Sequence, residues 1–175
     1  LFNSLTGNKV YVKDQLFATL DTTVRKFRIN KTHKVLISDT VGFIRKLPHN
    51  LVASFRSTLK EVIESNLILI VLDASSPTID DHLNTIKTVL NDLGAKTIPQ
   101  TIILNKIDQV DDELKLIQLK NNYSDAIFVS ALHHLKLDVI KNHIIKKIES
   151  DYIIFDLNIP YSKGKTISQL KDQVE

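Results

Sequence analysis

Apolar runs of strand length alternate along this chain with longer stretches of helical period. Residues 22–29 (TTVRKFRI) and 34–39 (KVLISD) flank a polar turn at 30–33, which predicts a hairpin of two strands. Leu51, Phe55, Leu59, Val62 and Ile63 then fall on one helical face. Residues 67–72 (LILIVL) are a continuous aliphatic run, the pattern of a strand covered on both faces of a parallel sheet. Leu83, Ile86, Val89, Leu90 and Leu93 predict another helix, closed by Gly94. The strand TIILN (101–105), a polar helix around 111–121, the strand AIFVS (126–130) and a helix with Leu137, Ile140, Ile144 and Ile148 on one face complete the series. At the front, Leu1, Phe2 and Leu5 read as the buried face of a helix, with Gly7 where it would stop.

Strand, helix, strand, helix with few prolines predicts an α/β doubly wound, mostly parallel sheet. Such sheets bind ligands at the carboxyl ends of their strands, so chemistry is sought just after each apolar run. After Ser150 the pattern changes. Residues 152–159 look strand-like, and Pro160, Gly164 and a short helical stretch follow, which reads as the start of a small second domain.

Bulk composition narrows the picture only a little. The 175 residues are 43% hydrophobic and 25% charged, ordinary for a chain that buries a core. There is no cysteine, so disulfides and thiolate metal sites are excluded. The run at 67–72 is far too short to span a bilayer. The net charge of +3 favours an acidic partner, but the lysines look scattered along the sequence and carry little weight.

The sharpest motif is LNKID (104–108), at the end of a buried strand. A carboxylate at Asp108 can accept two hydrogen bonds at once from guanine's ring N–H and exocyclic amine. Asn105 can bridge to the base and tie neighbouring loops together, and the stem of Lys106 can lie over the ring. A wrong base leaves buried polar groups unpaired, which makes this discrimination strong. An isolated N-K-x-D fits a solvated loop equally well, so its neighbours matter. One helix and one strand later comes Ser130-Ala131-Leu132, a small-residue loop able to offer a backbone N–H to the base oxygen. Upstream, an apolar strand ends in Asp39-Thr40-Val41-Gly42. Asp39 can hold Mg²⁺ through water, and Gly42 lets the backbone approach a terminal phosphate. Phe17-Ala18-Thr19-Leu20-Asp21 lies before the hairpin, and Thr19 is the hydroxyl chosen as a second Mg²⁺ ligand, released when the γ-phosphate is lost. Around these groups, the stretch 19–49 is expected to change order with the nucleotide. None of the six histidines makes a metal or catalytic spacing.

The order FATLD, DTVGF, NKID, SAL resembles a P-loop GTPase of the translation-factor-related class. Within it, VKDQLFATLDTT followed by DTVGFIRKLPHNLVASFRSTLKEV resembles the HflX-type GTPases. The resemblance implies a G domain that binds GTP and GDP through Phe17, Ala18, Thr19, Leu20, Asp21, Asp39, Thr40, Val41, Gly42, Asn105, Lys106, Ile107, Asp108, Ser130, Ala131 and Leu132, with Mg²⁺ on Thr19 and Asp39. It implies GTP hydrolysis by a protein that binds the ribosome, mainly the large subunit, and splits ribosomes under stress. It also implies a cytoplasmic location, with a membrane-associated fraction but no membrane span. Another assembly GTPase of the Obg or Era type is the alternative within the class, and a non-enzymatic binding fragment the alternative outside it. No catalytic side chain is identifiable. Phe43 stands where Ras-like proteins place a water-orienting glutamine, so slow turnover or help from a partner is expected. In that family LFN-x-LTG directly follows the phosphate-binding loop, of the form G-x-x-N-x-G-K-[ST]. Residues 1–150 are therefore expected to be a G domain lacking its N-terminal strand and that loop, and inactive by itself. Residues 151–175 are expected to begin a C-terminal domain.

Overall fold

Alternation of inward and outward side chains dictates the first two strands. β1 (Thr23–Arg28) and β2 (Lys34–Asp39) pair antiparallel, with Thr23 opposite Asp39 and Arg28 opposite Lys34. Asn30 closes the turn between them. Its Oδ1 accepts from the N–H of Thr32 at 3.0 Å and of His33 at 2.7 Å, the local bonding that makes asparagine a turn residue. The hairpin is as the pattern predicts. The computed structural model describes residues 1–7, 23–39, 60–150, 152 and 158–173. The proposed helical face at 51–59 and most of 152–159 lie outside these residues.

β3 (Ile68–Asp73), β4 (Gln100–Asn105) and β5 (Ile127–Phe128) form a parallel sheet in that order. β5 is shorter than the run 126–130 suggests. Val129 still donates to the Leu104 carbonyl at 2.9 Å, but Ser130 turns away and exchanges backbone hydrogen bonds with Leu135. The helices are α1 (Phe2–Thr6), α2 (Lys60–Ile63), α3 (Ile79–Asp92), α4 (Glu113–Asn122), α5 (Leu137–Glu149) and α6 (Gly164–Gln173). Gly94 follows α3 at φ 75°, the left-handed closure that glycine adopts without strain. Asp112 caps α4 by accepting from the Leu114 N–H at 2.8 Å.

Two cores flank the parallel sheet. On one face Ile70, Leu72 and Leu104 pack with Ile79, Leu83 and Leu90 of α3 and Leu119 of α4. On the other, Ile103 and Val129 pack with Leu5 of α1 and Leu137, Ile140 and Ile144 of α5, with Ile29 and Val35 of the hairpin against them. Neighbouring residues of β4 thus serve opposite cores, which is the doubly wound arrangement. Two details depart from expectation. Among the described residues the strands form two sheets, because β2 pairs with β1 alone and β3 with β4 alone. Val71 was expected to be covered but is 43% exposed. It lies in an edge strand, while α1 and α5 cover the face further across, over Ile103 and Val129.

A polar pair sits at the far end of β4 from the site described below. Thr101, 5% exposed, shares a 2.8 Å hydrogen bond with Nε2 of His143. Burial, with Lys147 and Lys146 nearby, pushes the His143 pKa down. The folded chain therefore resists a proton that the unfolded chain accepts, and the stabilising effect is full above the ordinary histidine value near 6.5. It is lost as the pH falls from there toward the depressed folded value. The urea midpoint should drop between pH 7.5 and 5.5, and drop less in a His143→Gln variant. Equal drops in the two proteins would show that His143 carries no such linkage.

Candidate functional site

Three loops meet where the parallel strands end. β3 ends at Asp73 and β4 at Asn105, paired side by side in the register, and the Ala74 N–H donates to the Asn105 carbonyl at 2.8 Å. The third loop, after β5, begins at Ser130, which is fully buried. Asn105 ties two of the loops together, because its Oδ1 accepts from the Ala131 N–H at 2.9 Å. This is the tying role expected of it. Ser4 of α1 adds a second tie by donating to the Ala131 carbonyl at 2.9 Å, a contact between residues 127 apart that no local pattern reveals.

The side chains around this junction leave one buried acceptor open. Asp108 is 14% exposed at its side chain, and its Oδ1 is buried without a hydrogen-bond partner. Its Oδ2 lies 3.8 Å from Nε2 of His133. An unpartnered buried carboxylate oxygen is costly unless a ligand donates to it. Guanine's N–H and amine are such donors. The loop amides are largely spoken for: Ser130 donates to Leu135, Ala131 to Asn105 and His133 to Ser130 Oγ at 3.2 Å. Among the described residues no hydrogen bond engages the Leu132 N–H, and Leu132 is 73% exposed. Of the expected S-A-L donors, Leu132 is the amide free to meet a base oxygen.

Lys106 is aimed by a group that the motif reading missed. Its Nζ donates to Oδ2 of Asp73 at 2.8 Å, while Oδ1 accepts from the N–H and hydroxyl of Ser75 at 2.9 and 2.6 Å. Burial pushes the Asp73 carboxyl up, but Lys106 and Ser75 outweigh it and hold the group below its usual value. Asp73 ends an apolar strand, and the rule that ligands gather at strand carboxyl ends could have found it.

Backbone strain gathers at the same place. The non-glycine residues with positive φ among those described are Lys106 at 63°, His134 at 54° and Lys136 at 58°. Each costs about 1–2 kcal/mol for an L-residue. All three lie in the two loops that carry Asp108 and Leu132, the kind of clustering that accompanies functional sites. Ile107 is held by its N–H, which donates to the Val129 carbonyl at 3.3 Å.

Of the expected metal ligands, Asp39 ends β2 and Thr19 lies outside the described residues. Burial raises the Asp39 pKa. A part-buried carboxylate that gains from a nearby cation fits Mg²⁺, which usually keeps several waters and takes one or two carboxylates plus phosphates. Among the described residues there is no cluster of three or more acidic or histidine side chains. Phe17, Ala18, Leu20, Asp21, Thr40, Val41, Gly42 and Phe43 also lie outside the described residues. So do residues 19–22 and 40–49 of the stretch expected to respond to nucleotide, whereas 23–39 is the regular hairpin.

Comparison with known proteins adds an independent line. Residues 1–106 match the family described as 50S ribosome-binding GTPase. Over 170 residues the chain is 42% identical to the GTPase HflX of Gluconacetobacter diazotrophicus, covering 97% of this chain and 38% of that protein. It is 40% identical over 173 residues to the GTPase HflX of Caldanaerobacter subterraneus, covering 99% and 39%. For the GTPase HflX of Escherichia coli the identity is 34% over 170 residues, covering 97% and 40%. The chain thus spans about two fifths of the length of these relatives. Among solved structures, a mutation variant of SsGBP superposes with a TM-score of 0.60 at 28% identity, covering 83% of this chain and 50% of that one. Era in complex with MgGDPNP and a 16S ribosomal RNA segment gives 0.58 at 19% identity over 90% and 53%, a likeness of fold alone.

Proposed function

We propose a function for the whole protein from one premise: this chain belongs to the family of 50S ribosome-binding GTPases and, within it, to the HflX GTPases. The whole protein binds GTP with Mg²⁺ and hydrolyses it to GDP and phosphate while engaged with the large ribosomal subunit. The observation that carries the reading is the buried, unpartnered Oδ1 of Asp108 between the strained loops, beside an Asn105 already locked to Ala131. Identity to HflX proteins of 34–42%, against 19% to Era, favours this over an Obg- or Era-type assembly factor. Splitting of ribosomes under stress is the finer task we infer from the family. We assign the protein to the cytoplasm. Among the described residues no helix is long and apolar enough to cross a membrane.

The division of labour follows from the residues. Asp108, the Leu132 amide and the stem of Lys106 bind and orient the base, and Asp73 holds the Lys106 ammonium to one side. Asp39 and Thr19 are placed to hold Mg²⁺, which when bound neutralises charge on the phosphate oxygens. We assign the phosphate-sensing role to Thr40, Val41, Gly42 and Phe43, and the nucleotide-responsive flank to Phe17, Ala18, Leu20 and Asp21. Since phenylalanine cannot orient water, a ribosomal partner would complete the hydrolytic arrangement. Residues 1–150 would form the G domain and residues 151–175 would open a further one. The unshared edges of β2 and β3 support a further strand between them.

The test measures phosphate release from GTP and ATP by the whole protein, with and without purified large subunits. GTP alone should turn over, with stimulation of roughly tenfold or more by subunits, in line with partner-supplied groups in other GTPases. Equal turnover of ATP would remove the guanine reading. Indifference to subunits would remove the proposed partner.

A further inference from the structure

The hairpin is one of two strongly basic stretches of the chain, the other being residues 40–60, also at +4. Residues 23–39 contain Arg25, Lys26, Arg28, Lys31 and Lys34 and one acid, Asp39, a balance of +4. The whole chain is +3, so the remaining residues sum to −1. The spacing looks scattered along the sequence, but strand alternation gathers it. Phe27, Val35 and Ile37 share one face, with Phe27 6% exposed and Val35 packed against the core. Lys26, Arg28 and Lys34 share the other face, and all three are exposed. Arg28 stands directly opposite Lys34, and Lys26 is one diagonal step from Lys34. Like charges directly opposed across a strand pair destabilise it. Among the described residues no carboxylate forms an ion pair with any of the five cations. A carboxylate does reach this face, where Glu61 accepts from the Ser38 hydroxyl, but it lies toward the end of the hairpin away from the Arg28–Lys34 pair.

We propose that the outer face of the β1–β2 hairpin is a docking surface for the phosphate backbone of ribosomal RNA, with Lys26, Arg28 and Lys34 as its contacts. The inference rests on the proposed ribosomal partner and adds the surface that meets it. The observation favouring RNA is charge complementarity: Lys26, Arg28 and Lys34 lie together on one exposed face, beside Val24 and Leu36, while Arg25 lies on the other face and Lys31 in the turn. The tip is anchored, since His33 stacks on Tyr152 at 6.5 Å between ring centres and lies 3.5 Å from Glu149 of α5. Lys141 of α5 lies over the Phe27 ring at 5.5 Å, which fixes the inner face. A ribbon held in this way presents its cations at low entropic cost, as backbone recognition needs.

The experiment titrates purified large subunits with the whole protein and its Lys26→Gln/Arg28→Gln/Lys34→Gln variant across a salt series. Loss of three phosphate contacts should make the slope of log K against log salt shallower by about 2.7. Between about 50 and 200 mM salt the native affinity should then fall roughly fortyfold more than the variant's. GDP affinity should be unchanged, and the urea midpoint equal or higher, because the opposed charges are gone. Equal salt slopes would overturn the hairpin assignment while leaving the ribosomal partner standing. Failure of the native protein to bind subunits at all would remove the partner and this surface together. Loss of binding to phosphatidylglycerol vesicles, with subunit binding unaltered, would identify a membrane surface instead and overturn the proposal.

Discussion

An Asp108→Asn variant should bind GDP about 100- to 10,000-fold more weakly and should come to prefer the xanthine nucleotide. The carboxylate sits with Oδ1 buried and unpartnered, so it is ready to accept and has little water to lose. Two hydrogen bonds to a charged acceptor are worth roughly 1.5–3 kcal/mol each, and each 1.4 kcal/mol is tenfold in affinity. Asparagine replaces the acceptor pair by one acceptor and one donor. The donor clashes with guanine's amine but suits the carbonyl that xanthine carries at the same position. The substitution also removes a buried charge, so the urea midpoint should hold or rise. That separates a recognition defect from a folding defect. Titrations with GDP and XDP decide the matter, and an unchanged ratio between the two would place base reading elsewhere.

Asn105→Ala should lose about a hundredfold in GDP affinity and about 1–3 kcal/mol in stability, because it leaves the part-buried Ala131 N–H without its acceptor. Asn105→Asp should behave differently. It keeps an oxygen for Ala131 but no longer donates to the base, so stability should be retained while GDP affinity falls. If both variants lose stability equally, the 2.9 Å bond is not the tie between the loops. If neither loses GDP affinity, Asn105 is a structural residue only.

The features legible in the sequence were those set by short-range periodicity. Alternation at 23–39 gave the hairpin, because side chains of a strand must point to opposite faces and only one face is covered. The aliphatic runs gave β3 and β4, and the 3.6-residue period gave α3 and α5 with Gly94 as the stop. The run at 126–130 misled in length, since Ser130 finds its backbone partner in Leu135 rather than in β4. The N-K-x-D carboxylate proposed to read the base could be singled out because that chemistry needs that residue at that spacing after a strand.

Taken by itself, then, the sequence determined most of the described strands and helices, and which loop carries the proposed guanine-reading groups. Both follow from residues within a few positions of one another. Only the tertiary structure decided which groups in those loops are occupied and which are open. Asp73 reaches Lys106 across 33 positions of chain, Ser4 reaches Ala131 across 127, and these bonds leave Asp108 Oδ1 and the Leu132 amide unengaged. It likewise brought Lys26, Arg28 and Lys34 together on one face, because strand register, not sequence spacing, sets which side chains are neighbours. Long-range pairing of this kind depends on how sheets and helices stack, which no local pattern encodes.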